Sequence, residues 1–415
     1  MAITITQHPD TIFSATPVFV PAFNPQVFSA ISNQYASANF KYTVVVVDMI
    51  TSETITLQIP ARPVDHRMTV DASFIAKNLI THYLPINTYG FQKATGIRKI
   101  RVNIGETYGS TPTYYAGTDF DYYIWNGVSD YLTYVDYDKD NYLYNASVTS
   151  PPNRVELSAC LDDVTYPDRS NYIYWLTYGA GDLLKLKVVV TLANGTQTIS
   201  YIDNPYQAST TYTDKYLCLD VGHKGLTEIA SGDVTGTYPI LGATAVSYQI
   251  HEVLSTAPDP RTRLIQNFTI GCEGVYDVYT VHFLAKNGQF ETIHFPKNSN
   301  KTTVASREKF ATIPFTMNSG TYHYSRSTPV DRILTSSSRD KLVLRTDWLD
   351  EAHVELYKQI IDSPLCYLDT GSTLDYVAVN LVPTSYTENK RFNKRLFQLQ
   401  MEFEMAHQNY RQSAW

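Results

Sequence analysis

Cysteine is scarce in this chain, and the few cysteines that occur are widely spaced. The 415 residues include four, Cys160, Cys218, Cys272 and Cys366, with no Cys-x-x-Cys pair. This spacing favours neither a zinc site nor a small disulfide framework. We therefore predict reduced thiols that are mostly buried.

Charged residues are also few. Asp, Glu, Lys and Arg make up 18% of the chain, whereas an average globular protein carries about 25%. The formal net charge is −7, which disfavours a general nucleic-acid-binding role, because such a protein needs a basic face to meet phosphates. The compact basic run "NKRFNKR" at 389–395 is predicted to be a solvated turn between two strands.

Long apolar runs and targeting signals are missing from the sequence. No run approaches the roughly 18 apolar residues that a membrane span needs. The first ten residues, "MAITITQHPD", lack the basic start and apolar centre of a signal peptide. The sequence thus predicts a soluble protein, made in a cytoplasm, with no membrane partner.

The familiar catalytic motifs do not occur either. The chain has no His-Glu-x-x-His, Gly-x-Ser-x-Gly, Walker or dinucleotide-binding motif. Asp136, Asp138 and Asp140 alternate as in a calcium loop, but Asn141 and Ser147 stand where that loop requires Gly and Glu. We therefore predict a protein that is not an enzyme and has no metal or cofactor.

Tyrosine is abundant instead, with 33 copies. It is densest at 119–144, "DFDYYIWNGVSDYLTYVDYDKDNYLY", where seven tyrosines interleave with six aspartates. Aromatic side chains favour strands and the centres of protein interfaces, and exposed rings also stack on sugars. The stretch is thus interpreted as a subunit contact, an internal sheet or a glycan platform. The candidate contact or stacking residues are Tyr122, Tyr123, Trp125, Tyr131, Tyr134 and Tyr137.

Alternation of apolar and polar residues predicts strands through most of the chain. Hairpins are indicated at 41–61 and around the turns Asn194-Gly195 and Asn287-Gly288, because Asn-Gly accepts the positive φ of a two-residue turn. The last strand alternates most regularly. Its predicted buried face comprises Phe397, Leu399, Met401, Phe403 and Met405, with Gln398, Gln400, Glu402 and Glu404 on the other face.

Two helices are predicted within this β-rich background. The first begins at an Asp71 N-cap, carries an apolar stripe of Ile75, Leu79 and Tyr83, and stops at Pro85. The second begins at an Asp347 N-cap and ends before Pro364. Its predicted stripe is Ala352, Leu356 and Ile360.

These elements predict a mainly β fold with minor α, built from several β-sandwich-like domains, each with a flanking helix. Pro151-Pro152 marks the best linker, and a second boundary falls near Gly271 to Gly274. The predicted domains are therefore 1–150 with one helix, a middle domain at 151–271, and a carboxy-terminal domain of hairpin, helix and strands at 272–415.

Three stretches in chain order resemble virion proteins of tailed bacteriophages that infect Bacteroidetes. They are "YYIWNGVSDYLTYVDYDKDNYLY", "VYTVHFLAKNGQFETIHFP" and "LVLRTDWLDEAHVELYKQIIDSPLCYL" with "YTENKRFNKRLFQLQMEFEMAH". The amino-terminal "FNPQVFSAISNQYASANFKYTVVV" is also similar to that group. The order of elements in the last 140 residues is loosely similar to distal tail proteins.

The resemblance implies a structural protein of the virion, in the tail, baseplate or neck, with no catalytic residues. Its expected partners are other virion proteins and further copies of itself in a ring of three-, six- or twelve-fold symmetry. The Tyr-dense stretch is then interpreted first as an assembly surface. The alternative is a glycan-binding receptor module at the tail tip, whose partner is a glycan of the host surface.

Overall fold

The computed structural model describes most of the chain. The described residues are 3–7, 19–85, 89–128, 158–159, 161–177, 183–209, 211–254, 261–272, 274–313, 315–324, 330–369, 376–382, 387–391, 396–407 and 409–410. They are mainly β with minor α, which confirms the predicted fold class. No helix among them is long and apolar enough to cross a membrane.

Two compact units make up the chain. The first contains Met1–Cys272 together with Leu284–Thr292, and the second contains Glu273–Phe283 and Ile293–Trp415. The predicted division into three domains stays a prediction, because its first boundary at Pro151-Pro152 lies outside the described residues.

The amino-terminal part of the first unit has two sheets around one core. The five-stranded sheet contains β2 (Phe19–Pro21), β4 (Lys41–Asp48), β5 (Thr54–Ile59), β8 (Ile97–Tyr108) and β9 (Thr113–Trp125), in the order β2-β9-β8-β4-β5. The three-stranded sheet contains β1 (Ile3–Gln7), β3 (Val27–Ser32) and β6 (Arg67–Asp71), in the order β1-β3-β6. Alternate residues of β4 and β8, such as Val44 and Val102, are buried, while β4 and β5 form the predicted hairpin.

Helix α1 (Ser73–Leu79) is shorter than predicted. Asp71 is not its N-cap but the last residue of β6, where its carboxylate accepts hydrogen bonds from the amides of Gln26 and Ser73. The helix ends at Leu79, whose carbonyl accepts from the Arg98 side chain, and the backbone is extended from Ile80 onward. Tyr83 therefore lies outside the helix and is exposed, so the predicted stripe is wrong at that position.

The rest of the first unit is built around a second core. Its six-stranded sheet contains β10 (Asp163–Thr165), β12 (Lys185–Leu192), β13 (Gln197–Asp203), β15 (Val234–Gly236), β16 (Ala245–Leu254) and β17 (Arg261–Ile270), in the order β10-β17-β16-β12-β13-β15. A three-stranded sheet, β11-β14-β7, contains β7 (Gln92–Lys93), β11 (Tyr172–Leu176) and β14 (Tyr216–Asp220). The short helix α2 (His223–Glu228) follows β14. The predicted Asn194-Gly195 turn joins β12 to β13, with Gly195 at φ +81°.

A nine-stranded sheet lies mostly in the second unit. Its strands are β18 (Tyr279–Leu284), β19 (Phe290–Phe295), β20 (Asn300–Ala311), β23 (Asp331–Arg345), β24 (Cys366–Asp369), β25 (Tyr376–Leu381), β26 (Thr387–Arg391), β27 (Leu396–Met405) and β28 (Asn409–Tyr410). The main path is β19-β18-β24-β25-β27-β23-β20, with β26 beside β27 and β28 beside β23. A separate hairpin, β21 (Phe315–Asn318) with β22 (Thr321–Tyr324), lies between β20 and β23 in the chain.

Helix α3 (Glu351–Lys358) starts three residues later than predicted. Asp347 is not its N-cap, because the chain has not yet become helical two residues later. Leu349 is extended and exchanges backbone hydrogen bonds with Phe397 of β27. Asp350 caps the helix instead and accepts from the His353 amide at 2.9 Å. The buried stripe is accordingly Val354, Tyr357 and Ile360, whereas Ala352 is exposed and Leu356 is half-buried.

The predicted alternation of the last strand is confirmed in β27. Phe397, Leu399, Met401 and Phe403 are buried, and the fifth member of the predicted face, Met405, is half-buried. The opposite face carries polar side chains that have partners within the sheet, such as Glu402 with Lys341 of β23 at 3.1 Å.

Candidate interaction surface

Tyr122 and Trp125 lie in the interior of the first unit. Tyr122 is 2% exposed and its hydroxyl donates to Oε1 of Gln26 at 2.6 Å. Trp125 is 0% exposed and its indole N–H donates to the Asn287 carbonyl at 3.1 Å. Neither ring presents a face to a sugar or to a second subunit. The structure therefore corrects the prediction for these two side chains, which are core residues of the chain itself.

Tyr123 points to the side of β9 opposite Tyr122 and remains a candidate. It is half-buried, and the Lys99 ammonium lies 6.0 Å from the centre of its ring. Tyr131, Tyr134 and Tyr137 lie outside the described residues. The described part of the Tyr-dense stretch thus offers one partly exposed ring of the three predicted.

The two described aspartates of this stretch, Asp119 and Asp121, pair with the chain's own cations. Arg101 on β8 donates two hydrogen bonds to the Asp121 carboxylate, at 2.6 and 2.9 Å, and lies 3.7 Å from Asp119. The hydrogen bond from Arg101 lowers the pKa of Asp121, with Lys99 acting in the same direction. This ladder of opposite charges is the outer face of a sheet, and a ligand would have to displace these ion pairs to bind there.

A different part of the chain has the properties of a contact surface. We call residues 300–340 the arm: they comprise β20, the β21–β22 hairpin and β23 as far as Asp340. β20 is the terminal strand of its sheet and pairs on one side with β23 over its full 12 residues. At about 3.3 Å per residue this strand is about 40 Å long. All its side chains are exposed except Phe310, which is half-buried.

The outer half of the arm is a ribbon of two strands. β27 pairs with β23 only at Lys341 to Arg345, and β28 pairs with it only at Ser337 and Ser338. Among the described residues, 331–336 and their partners in β20 therefore have no third strand beside them. An isolated two-stranded ribbon is marginally stable in water, and an exposed edge invites pairing with another chain. The outer half of the arm therefore presents a long exposed strand edge.

The tip of the arm is apolar. β21 and β22 are joined at Ser319 and Gly320, both with positive φ, as a two-residue hairpin turn requires. Met317 and Tyr322 stand directly opposite each other on one face, 66% and 71% exposed. Phe315 shares that face and Ile313 precedes it, and both are also exposed. Clustered exposed apolar side chains of this kind mark interaction sites.

The arm was not predicted from the sequence, which placed residues 300–340 within the carboxy-terminal domain. A signal was present in "NKTTVASREKF" at 300–310, where polar residues occupy both faces of the strand pattern. A strand with no apolar face has nothing to bury in its own domain. Such a segment is either an exposed ribbon or a loop.

Burial shifts the pKa of two titratable groups in the first unit. Asp220 accepts hydrogen bonds from the amides of Asn171 and Gly222, both at 2.9 Å, while burial raises its pKa to about 6. His82 packs among the rings of Tyr174, Tyr216 and Phe290, and burial lowers its pKa to about 4. Within the described residues no group of His, Cys, Asp and Glu is arranged to hold a metal ion.

Glu291 makes the stability of the chain depend on pH. Its Oε1 accepts from the Ala159 amide and from the side-chain amide of Gln289, and burial raises its pKa from 4.5 to about 7. The folded state thus holds this proton where the unfolded state has lost it. The contribution to stability is full below pH 4.5 and is lost as the pH rises through 7.

We expect Glu291→Gln to remove this dependence, because a neutral amide oxygen can accept the same two hydrogen bonds. The stability of the variant relative to the wild type should rise by about 2–3 kcal/mol between pH 5 and pH 8. Denaturant unfolding at the two pH values measures this difference, and the His82 contribution cancels because both proteins contain it. A difference that stays constant with pH contradicts the assignment.

Comparison with known protein families and with curated proteins finds no match for this chain.

Proposed function

We propose that this protein is a non-enzymatic structural subunit of a tailed-bacteriophage virion, forming a ring or collar in the tail, baseplate or neck. The observation that carries the proposal is the arm, a long exposed ribbon with an apolar tip, which is a form suited to contacts between molecules. The resemblance of three stretches to virion proteins supports the particle as the setting. The protein is made in the host bacterial cytoplasm and resides in the virion.

The alternative, a glycan-binding module at the tail tip, has less support. It relied on a row of exposed rings at 122–137, and two of the three described rings are buried. Titration of the wild type and of Tyr123→Ala with host capsule tests whether the remaining ring binds glycan. Binding that is lost in this variant, at unchanged melting temperature, favours the glycan function.

Quantitative mass spectrometry of purified virions tests the proposed location. The chain should be present in a copy number that is a multiple of three, six or twelve, as a closed ring requires. Absence of the chain from the particle contradicts the proposal.

The apolar tip provides a direct test of assembly. We expect Met317→Asp combined with Tyr322→Asp to abolish oligomer formation, because two charges would be buried in the contact. The unfolding free energy should change by less than about 1 kcal/mol, since both side chains are exposed in the single chain. Light scattering after size-exclusion chromatography and thermal melting measure the two effects.

Val64→Asp is the control, because this side chain is also apolar and exposed but lies outside the arm. It should leave oligomer formation intact. If the control assembles as poorly as the tip variant, or the tip variant assembles normally, the arm is not the contact.

A further inference from the structure

Charge is divided unequally between the arm and the rest of the chain. Residues 300–340 contain six Lys or Arg and three Asp or Glu, a formal charge of +3, although the whole chain carries −7. The remaining residues, which we call the body, therefore carry −10. Between separate copies, arm and body attract each other, while arm repels arm and body repels body.

The positive charge is concentrated on one face of β20. Lys301, Arg307 and Lys309 occupy alternate positions of the strand and so share a face. Lys301 pairs with Asp340 of β23 at 2.9 Å. Within the described residues, neither Arg307 nor Lys309 has a carboxylate partner, so the outer ribbon presents two unneutralised cations next to each other.

This charge pattern opposes the simplest symmetric contact. If the free edges of β20 from two copies paired across a two-fold axis, six cations and two carboxylates would meet along one seam. Like charges placed opposite each other across strands are destabilising. The body of another copy, with its formal charge of −10, has the complementary charge.

We infer that the arm of one copy binds the body of the next copy, so that the contact is heterologous rather than two-fold symmetric. Repeated head-to-tail contacts of this kind close into a ring when the rotation between copies allows it. The inference rests on the proposed function and specifies its partner, a second copy of this chain. It also predicts that association weakens as salt is added, because exposed charges are screened.

Charge reversal on the full-length protein tests the inference. Arg307→Glu with Lys309→Glu should weaken self-association about tenfold or more. Arg67→Glu with Lys77→Glu changes the net charge equally at exposed positions of the body, and should not weaken self-association.

Mixing the wild type with the arm variant distinguishes the two symmetries. Paired arms would associate more tightly in the mixture than in the wild type alone, because their charges become opposite, and that result overturns the inference.

Photo-crosslinking from position 307, in a mixture of isotopically light and heavy protein, identifies the contact itself. The expected products join the arm of one copy to the body of another. Products that join arm to arm overturn this inference and leave the proposed function standing. A wild-type chain that stays monomeric at every concentration and salt overturns both. Binding of the monomer to duplex DNA or anionic vesicles through Arg307 and Lys309, without self-association, also overturns the inference.

Discussion

Phe403→Ala should destabilise the second unit by about 3–5 kcal/mol. Phe403 is 1% exposed in the middle of β27. Its cross-strand neighbours are Leu342 on β23 and Leu381 on β25, and its ring meets Phe295 edge-on at 5.9 Å. Neighbours on two hydrogen-bonded strands cannot close in on the space that the ring leaves, so the cavity persists. Denaturant unfolding of the single chain measures the loss.

Glu402→Ala is the control at the adjacent position. This side chain lies on the other face of β27 and pairs with Lys341, and both side chains are partly exposed. An ion pair of this kind contributes less than about 1 kcal/mol. If Glu402→Ala unfolds the unit while Phe403→Ala leaves it stable, the register of β27 is the reverse of the one described.

Trp125→Ala should destabilise the first unit by a similar amount, about 3–5 kcal/mol. The indole is fully buried at the end of β9, and its N–H binds the carbonyl of Asn287 in the turn between β18 and β19. The same turn is held by the Val128 amide, which donates to the Lys286 carbonyl at 2.7 Å. Gly288 sits at φ +88°, and a Cβ there would lie 2.1 Å from the Asn126 carbonyl oxygen. Loss of the indole therefore removes both packing and an anchor of this turn.

Tyr123→Ala separates the core role of Trp125 from a surface role. Its ring is half-buried beside Lys99, so its loss should cost about 1 kcal/mol or less. Thermal melting of the two variants gives the comparison. A Trp125→Ala protein that melts like the wild type but fails to assemble or to bind glycan would restore the contact prediction for this residue.

Local features of the fold were predictable because they depend on a few neighbouring residues. Asn194-Gly195 forms a turn since both residues accept the backbone angles of a tight hairpin. Alternation along β27 places Phe397 to Phe403 on one face, since successive strand side chains point to opposite sides. Neither result needs information from distant parts of the chain.

The start of α3 shows where local information was insufficient. Asp347 and Asp350 are both acceptable N-caps by residue type. Asp350 is the cap because Leu349 is held extended by hydrogen bonds to Phe397, almost fifty residues later in the chain. The buried face is also set by packing: it comprises Val354 and Tyr357 in place of Ala352 and Leu356, and it keeps the predicted Ile360.

Which side chains of the candidate surface are exposed depends on distant contacts even more than the start of α3 does. An aromatic residue in a strand has the same sequence pattern whether it meets solvent, a subunit or its own core, and the indole of Trp125 is buried where it donates to the distant Asn287 carbonyl. β20 has the sequence of a strand, but its exposure depends on the absence of a described strand beyond it. Backbone propensity and side-chain alternation act within a few residues and specify strands and turns. Burial and edge position arise from pairing between distant segments, and here they removed Tyr122 and Trp125 from the candidate surface and added the arm.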